Sequence, residues 1–169
     1  MENSVEPLVA GLTRNRVYVK LSNGVKDLRE RGYGEVKKDR LLFTPNEAVY
    51  LVEKERIKIV NRRIQVSLKD LVKILVSDKK ESWIKYLIYR DLRDRGYIVR
   101  DSSKFDFEVY GKGALRRLVS IIHEGRDTSL ERLEALLAHS KREKKELILA
   151  VIDRRTDIVY YTLNSLVIS

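Results

Sequence analysis

The stretch from Trp83 to Lys112, WIKYLIYRDLRDRGYIVRDSSKFDFEVYGK, limits what this chain can fold into more than any other. Ile84, Leu87, Ile88 and Leu92 recur at three- and four-residue spacing while Lys85, Arg90, Asp91, Arg93 and Asp94 take the other side, which predicts an amphipathic helix. Gly96 stops that helix. The period then changes to two. Tyr97, Val99, and then Phe105, Phe107 and Val109 alternate with other residues up to Tyr110, so the helix feeds a pair of strands.

The rest of the chain repeats that mixture on both sides. Leu8 to Leu12 and Arg16 to Leu21 read as short strands, with Asn23-Gly24 as the turn that ends the pair. Val25 to Arg31 predicts a short helix and Leu41 to Phe43 a strand. Thr44, Pro45 and Glu47 then form the signature of a capping box opening a helix through Ala48, Val49, Leu51 and Val52. Ile57 to Val60 and Ile64 to Val66 predict a hairpin, and Ser67 caps a helix from Leu68 to Val76. Further on, Leu118 to Ile122 suits a buried strand and Asp127-Thr128-Ser129 opens a helix through Leu137. Leu147 to Ile152 and Ile158 to Leu163 flank a turn from Asp153 to Asp157. The short polar run Ser77 to Lys80 marks the expected boundary, giving an α+β protein of two small mixed α/β domains, 1–76 and 77–169.

Composition narrows the function classes. Charged residues make up 36% of the chain, but 43% is hydrophobic, so the sequence can bury a core beneath a heavily charged surface. Thirty-five Lys and Arg against 25 Asp and Glu leave a formal charge of +10, which favours a polyanionic partner. The excess is spread over both halves, since 16 basic residues meet 10 acidic ones through Val76 and 19 meet 15 afterwards. The absence of cysteine removes disulfides, thiolate nucleophiles and sulfur-ligated metals. His123 and His139 alone do not make a histidine metal site, so no metal or other cofactor is expected. No apolar run reaches transmembrane length, and MENSVEPLVAG lacks the basic-then-apolar layout of a signal peptide; a cytoplasmic protein is expected. A single Gln, one Met and abundant Lys, Arg and Glu fit a thermophile.

YLIYRDLRDRGYIVRD followed by KFDFEVYGKG, together with KKELILAVIDRRTDIVYY near the end, resembles the archaeal tRNA-intron splicing endonuclease family. The resemblance implies a restriction-endonuclease-like nuclease fold with a central mixed sheet in the C-terminal domain. It also implies metal-independent cleavage of precursor tRNA at bulge-helix-bulge junctions, an RNA-lyase reaction that leaves a 2′,3′-cyclic phosphate and a 5′-hydroxyl. That chemistry needs a base for the 2′-hydroxyl, an acid for the leaving 5′-oxygen and a cation beside the phosphate. In the family a tyrosine, a histidine and a lysine supply them. Tyr110 matches the tyrosine and Lys145 the lysine, but Ala114 stands at the histidine position, and neither His123 nor His139 replaces it by sequence position. Loss of one positioned proton donor commonly costs about 10²- to 10⁴-fold in rate. The pair is therefore expected to be vestigial and the chain a structural, RNA-binding subunit of an α2β2 heterotetramer, beside a partner catalytic subunit. Asp153 and Asp157 match a loop that docks on that partner, and Lys141, Arg142 and Lys144 are candidates for contact with RNA or the partner.

Two alternatives stand beside that expectation: a catalytic subunit in which His123 or His139 reaches the site, and a non-catalytic RNA-binding assembly protein. Each residue also has a plainer reading. Tyr110 suits a packed or edge tyrosine, Lys145 compensation of a helix dipole, and Asp153 and Asp157 ordinary turn positions.

Overall fold

A computed structural model describes residues 6–76, 80–111 and 116–166. The chain divides into two compact units, Met1–Tyr86 and Leu87–Ser169. Ser77, Asp78 and Lys79 of the expected boundary lie outside the described residues. No helix among the described residues is long and apolar enough to cross a membrane.

The first unit is built on a six-stranded sheet. In chain order its elements are β1 (Leu8–Thr13), β2 (Arg16–Lys20), α1 (Lys26–Glu30), β3 (Glu35–Lys37), β4 (Arg40–Phe43), α2 (Pro45–Glu53), β5 (Ile57–Asn61), β6 (Ile64–Gln65) and α3 (Leu68–Leu75). The strand order is β3-β4-β2-β1-β5-β6, and all pairings are antiparallel except β1 with β5. Alternation buries Val17 and Val19 of β2, Leu41 and Phe43 of β4, and Ile57 and Ile59 of β5, and α2 covers these strands with Ala48, Val49 and Leu51. The predicted capping box is present: Glu47 N–H donates to Thr44 Oγ1 at 3.3 Å and Thr44 N–H to Glu47 Oε2 at 2.9 Å. Glu47 is buried, and its other oxygen accepts from Gly34 N–H at 3.0 Å. Gly34 must be glycine there, because its φ is +71° and a Cβ would lie 2.9 Å from the Leu42 carbonyl oxygen.

Two of the three two-residue hairpins of this sheet hold both turn residues in the left-handed region without glycine. Arg14 and Asn15 join β1 to β2 with φ of 47° and 61°, and Arg62 and Arg63 join β5 to β6 with φ of 49° and 68°. Such mirror-image turns match the twist of the strands but favour Asn-Gly or Asp-Gly, since a Cβ in this conformation meets the following carbonyl. Asn23-Gly24, read from sequence as a turn, falls in a 3₁₀ segment, Asn23–Val25, that leads into α1.

The second unit takes its first helical turns from α4 (Lys80–Asp94), the predicted amphipathic helix, with the unit boundary inside it. It continues with β7 (Ile98–Asp101), β8 (Phe107–Tyr110), β9 (Arg116–His123), α5 (Leu130–Arg142), β10 (Glu146–Ile152) and β11 (Ile158–Leu163). The sheet is mixed, ordered β11-β10-β9-β8-β7, with β9 and β10 parallel and α5 as their crossover. Phe105, read from sequence as part of a strand, precedes β8 and is buried. One face of the sheet, holding Leu118 and Leu147, packs under α5 with Phe105 and Leu137. The other face, holding Phe107, meets Tyr89 of α4 at 6.0 Å between ring centroids. Tyr160 of β11 sends its hydroxyl to Asp91 of α4 at 2.7 Å, while Tyr161 points to the opposite face and is 56% exposed.

Candidate functional site

The alternation that buries Phe107 and Val109 turns Glu108 and Tyr110 to the α5 side of the sheet. Tyr110 pairs with Arg116 across β8–β9, and Arg117 pairs with Glu146 across β9–β10. Lys145, one residue ahead of β10, therefore falls in the same cross-strand row as Arg116 and Tyr110. The end of α5 fixes it there. Lys144 adopts φ 54°, and Lys145 N–H donates to the Ser140 carbonyl at 3.0 Å, which swings the chain from helix into strand.

In this row the ammonium is already neutralised. Lys145 Nζ lies 2.7 Å from Glu108 Oε1 and 2.7 Å from Glu143 Oε2, and its side chain is only 14% exposed. Glu108 first, then Glu143, holds the lysine pKa above its ordinary value. The Tyr110 phenol shares Glu108. Burial, followed by that hydrogen bond, raises its pKa above the usual tyrosine range, and the opposing pull of Lys145 and Arg100 is smaller. Arg116 sits over the Tyr110 ring, 5.8 Å from its centroid. Chemically, the phenol shares a carboxylate with the ammonium, and the ammonium is bracketed by two carboxylates.

Neither histidine completes the group. His123 ends β9, seven residues along the strand from the partner of Tyr110, a separation of about 23 Å. His139 is nearer but occupied. Its Nε2 is 3.0 Å from Glu143 Oε1 and 2.9 Å from Lys104 Nζ, its Nδ1 is 3.2 Å from an Arg142 nitrogen, and its ring meets Phe105 at 5.7 Å. Arginine and lysine can only donate and a carboxylate only accepts, so Arg142 asks Nδ1 to accept while Lys104 and Glu143 make opposite demands on Nε2. His139 thus reaches Lys145 only through Glu143, and the partners of Tyr110 are Glu108 and Arg116. Ala114, expected at the histidine position, lies outside the described residues.

A family model described as the catalytic C-terminal domain of tRNA intron endonuclease matches residues 82–160, and one described as its N-terminal domain matches residues 10–72. The chain belongs to the tRNA intron endonuclease family. Among its relatives, a tRNA-splicing endonuclease of Pyrococcus horikoshii is 36% identical over 161 residues, covering 92% of this chain and 95% of the relative. One from Pyrococcus furiosus is 37% identical over 155 residues, covering 89% and 91%. One from Methanococcus vannielii is 29% identical over 174 residues, covering 98% of each.

Within this family member the remaining candidates fall into two groups. Lys141, Arg142 and Lys144 are exposed at the end of α5, with Arg142 facing His139. Asp153 and Asp157 bracket the β10–β11 turn. One Asp153 oxygen accepts from Arg155 N–H at 2.8 Å and Asp157 N–H at 2.9 Å, so this carboxylate folds its own loop, whereas Asp157 is exposed. Glu108 and Glu143 were not singled out from sequence. Glu108 shares the strand parity of Tyr110, a signal that was available, but its meeting with Lys145 depends on the register of three strands.

Proposed function

We propose that this chain is the structural subunit of a tRNA-splicing endonuclease, supporting a catalytic partner in an α2β2 assembly that cleaves precursor tRNA at bulge-helix-bulge junctions. What supports it is the neutralised Lys145, held between Glu108 and Glu143 with Tyr110 hydrogen-bonded to the same Glu108. A second support is the outer edge of the sheet, where β11 has a partner on one side only and exposes Val159 and Tyr161, as an edge awaiting another strand would. Asp157, at the adjoining turn, is the carboxylate available to a basic surface of that partner.

The test is cleavage of a bulge-helix-bulge RNA by this chain alone, by a co-expressed partner, and by the two together. The chain alone gives no product. In the mixture, Tyr110→Phe and Lys145→Met in this chain alter the rate by less than about threefold, where loss of a working acid or base would cost about 10²- to 10⁴-fold. A loss on that scale would overturn the proposal.

One observation favours a second reading. Glu143 bridges His139 to Lys145, which joins an imidazole to the ammonium through one carboxylate. On that reading the chain cleaves by itself and His139→Ala abolishes the activity.

A further inference from the structure

Most arginines of this chain that meet a described acid are paired with it: Arg31 and Arg56 with Asp27, Arg95 with Asp91, Arg117 with Glu146. The arginines at one end of the N-terminal sheet are different. The guanidinium groups of Arg14, Arg16, Arg62 and Arg63 form no ion pair or hydrogen bond with a described residue, and all four are exposed. The sequence supplies no acid to them, because residues 8–26 and 56–69 contain no Asp or Glu.

Topology brings these residues together. β1 and β5 are parallel neighbours with Leu8 opposite Ile57 and Gly11 opposite Val60, so the Arg14-Asn15 tip and the Arg62-Arg63 tip emerge at the same level. Their centres stand about 10 Å apart, two strand spacings. Between them is a surface cleft of about 510 Å³, bordered by Thr13, Arg14 and Asn15 on one side and Asn61 and Arg62 on the other. Three arginines and an asparagine occupy left-handed turn positions that an Asn-Gly pair would fill with less strain, which is a poor choice for the fold alone.

We infer that the paired hairpin tips of the N-terminal unit form a clamp for the phosphate backbone of duplex RNA, the helical arm of a substrate and not its bulge. Arg14, Arg62 and Arg63 meet phosphate oxygens, and Asn15 and Asn61 are placed for the ribose 2′-hydroxyls that line the shallow groove of an A-form helix. This rests on the reading of the chain as an RNA-processing subunit. It adds a contact surface on the N-terminal unit that recognises helix shape without sequence.

The test uses the full chain without a partner and a bulge-free RNA duplex of about 20 base pairs, with the DNA duplex of the same sequence as control. The variant R14N/R62N/R63G removes the three charges while supplying residues those turns prefer, so the fold is kept. We expect it to bind the RNA duplex about tenfold or more weakly near 0.1 M salt, and the plot of log affinity against log salt to become shallower by about 2 to 3. The wild-type chain should prefer RNA over DNA, and the variant, which keeps Asn15 and Asn61, should weaken on both duplexes alike. Unchanged affinity and salt slope in a folded variant would overturn the clamp, as would loss of heparin binding with RNA binding intact. Cleavage by the chain alone would sink the structural-subunit reading but leave this result standing, so the two can fail separately.

Discussion

Two positively charged places in this molecule have opposite electrostatic states. At the junction of α5 and β10, Lys145 lies between Glu108 and Glu143, each 2.7 Å away. At the tips of the N-terminal hairpins, Arg14, Arg62 and Arg63 face no acid among the described residues. A cation between two carboxylates has its charge offset within the protein, whereas an exposed arginine in a left-handed turn strains the backbone and keeps its charge open to solvent. The +10 charge of the chain therefore says less about RNA contact than the identity of the charges that lack partners.

The largest effect should come from breaking the satisfied site. Lys145→Met leaves Glu108 half-buried beside the Tyr110 phenol with no counter-charge. We expect a loss of about 2 kcal/mol, between the ranges for surface and buried pairs, read from denaturant midpoints. E108Q/K145M should recover part of that loss, because neither partner then remains charged; a double variant no better than K145M would show that the pair is not coupled.

At the N-terminal tips the sign reverses. R62N/R63G should raise stability by about 1 kcal/mol, since Asn-Gly fits a turn in which both φ values are positive, while affinity for the RNA duplex falls. Gain of stability with loss of binding is an outcome that simple damage to the fold does not produce. If both fall together, the contrast between the two regions is wrong.

Alkali separates the regions by a smaller amount. Lys145, Tyr110 and Tyr160 all have raised pKa values, Tyr160 because it is buried and donates to Asp91. A raised value means the native state holds the proton more tightly, so the stability from these groups is whole below about pH 10 and declines as pH climbs past their ordinary values of 10.5 and 10.0. Arginine keeps its charge throughout. Melting temperature should therefore fall above pH 10, less steeply in Tyr160→Phe, while tyrosinate absorbance shows two late-titrating phenols in the folded chain.

Much of the scaffold was legible because its signals are local. The capping box at Thr44 and Glu47, the Gly96 stop and the nearly continuous apolar run of β9, broken at Ser120, each depend on a few neighbouring residues, and all three stand as read. β3 was not legible. Glu35–Lys37 is a three-residue edge strand with every residue exposed, so it has no buried face and no alternation to show. The site was half legible: Tyr110 and Lys145 carry a family pattern, but their shared carboxylate appears only once β8, β9 and β10 are laid in register. The hairpin at residues 57–66 was visible in the sequence; its placement beside the Arg14-Asn15 tip was not, because a parallel pairing of β1 with β5 spans almost fifty residues and leaves no local trace.

The smallest effect concerns a third hairpin tip. The β10–β11 turn also carries two arginines, Arg154 and Arg155, but Asp153 and Asp157 flank them and cancel their charge. Asp153 cannot be changed cleanly, since its carboxylate accepts two backbone N–H groups that hold the turn. Asp157 can, because its side chain is exposed and outside that network. Asp157→Asn keeps the turn and adds one net positive charge, so affinity of the lone chain for the RNA duplex should rise by about two- to threefold and the salt slope by less than about 1. A gain as large as the loss in R14N/R62N/R63G would mean that net charge alone governs RNA contact. A gain of two- to threefold or less would instead place the recognition in the geometry of two adjoining tips, which a single hairpin with the same arginines does not have.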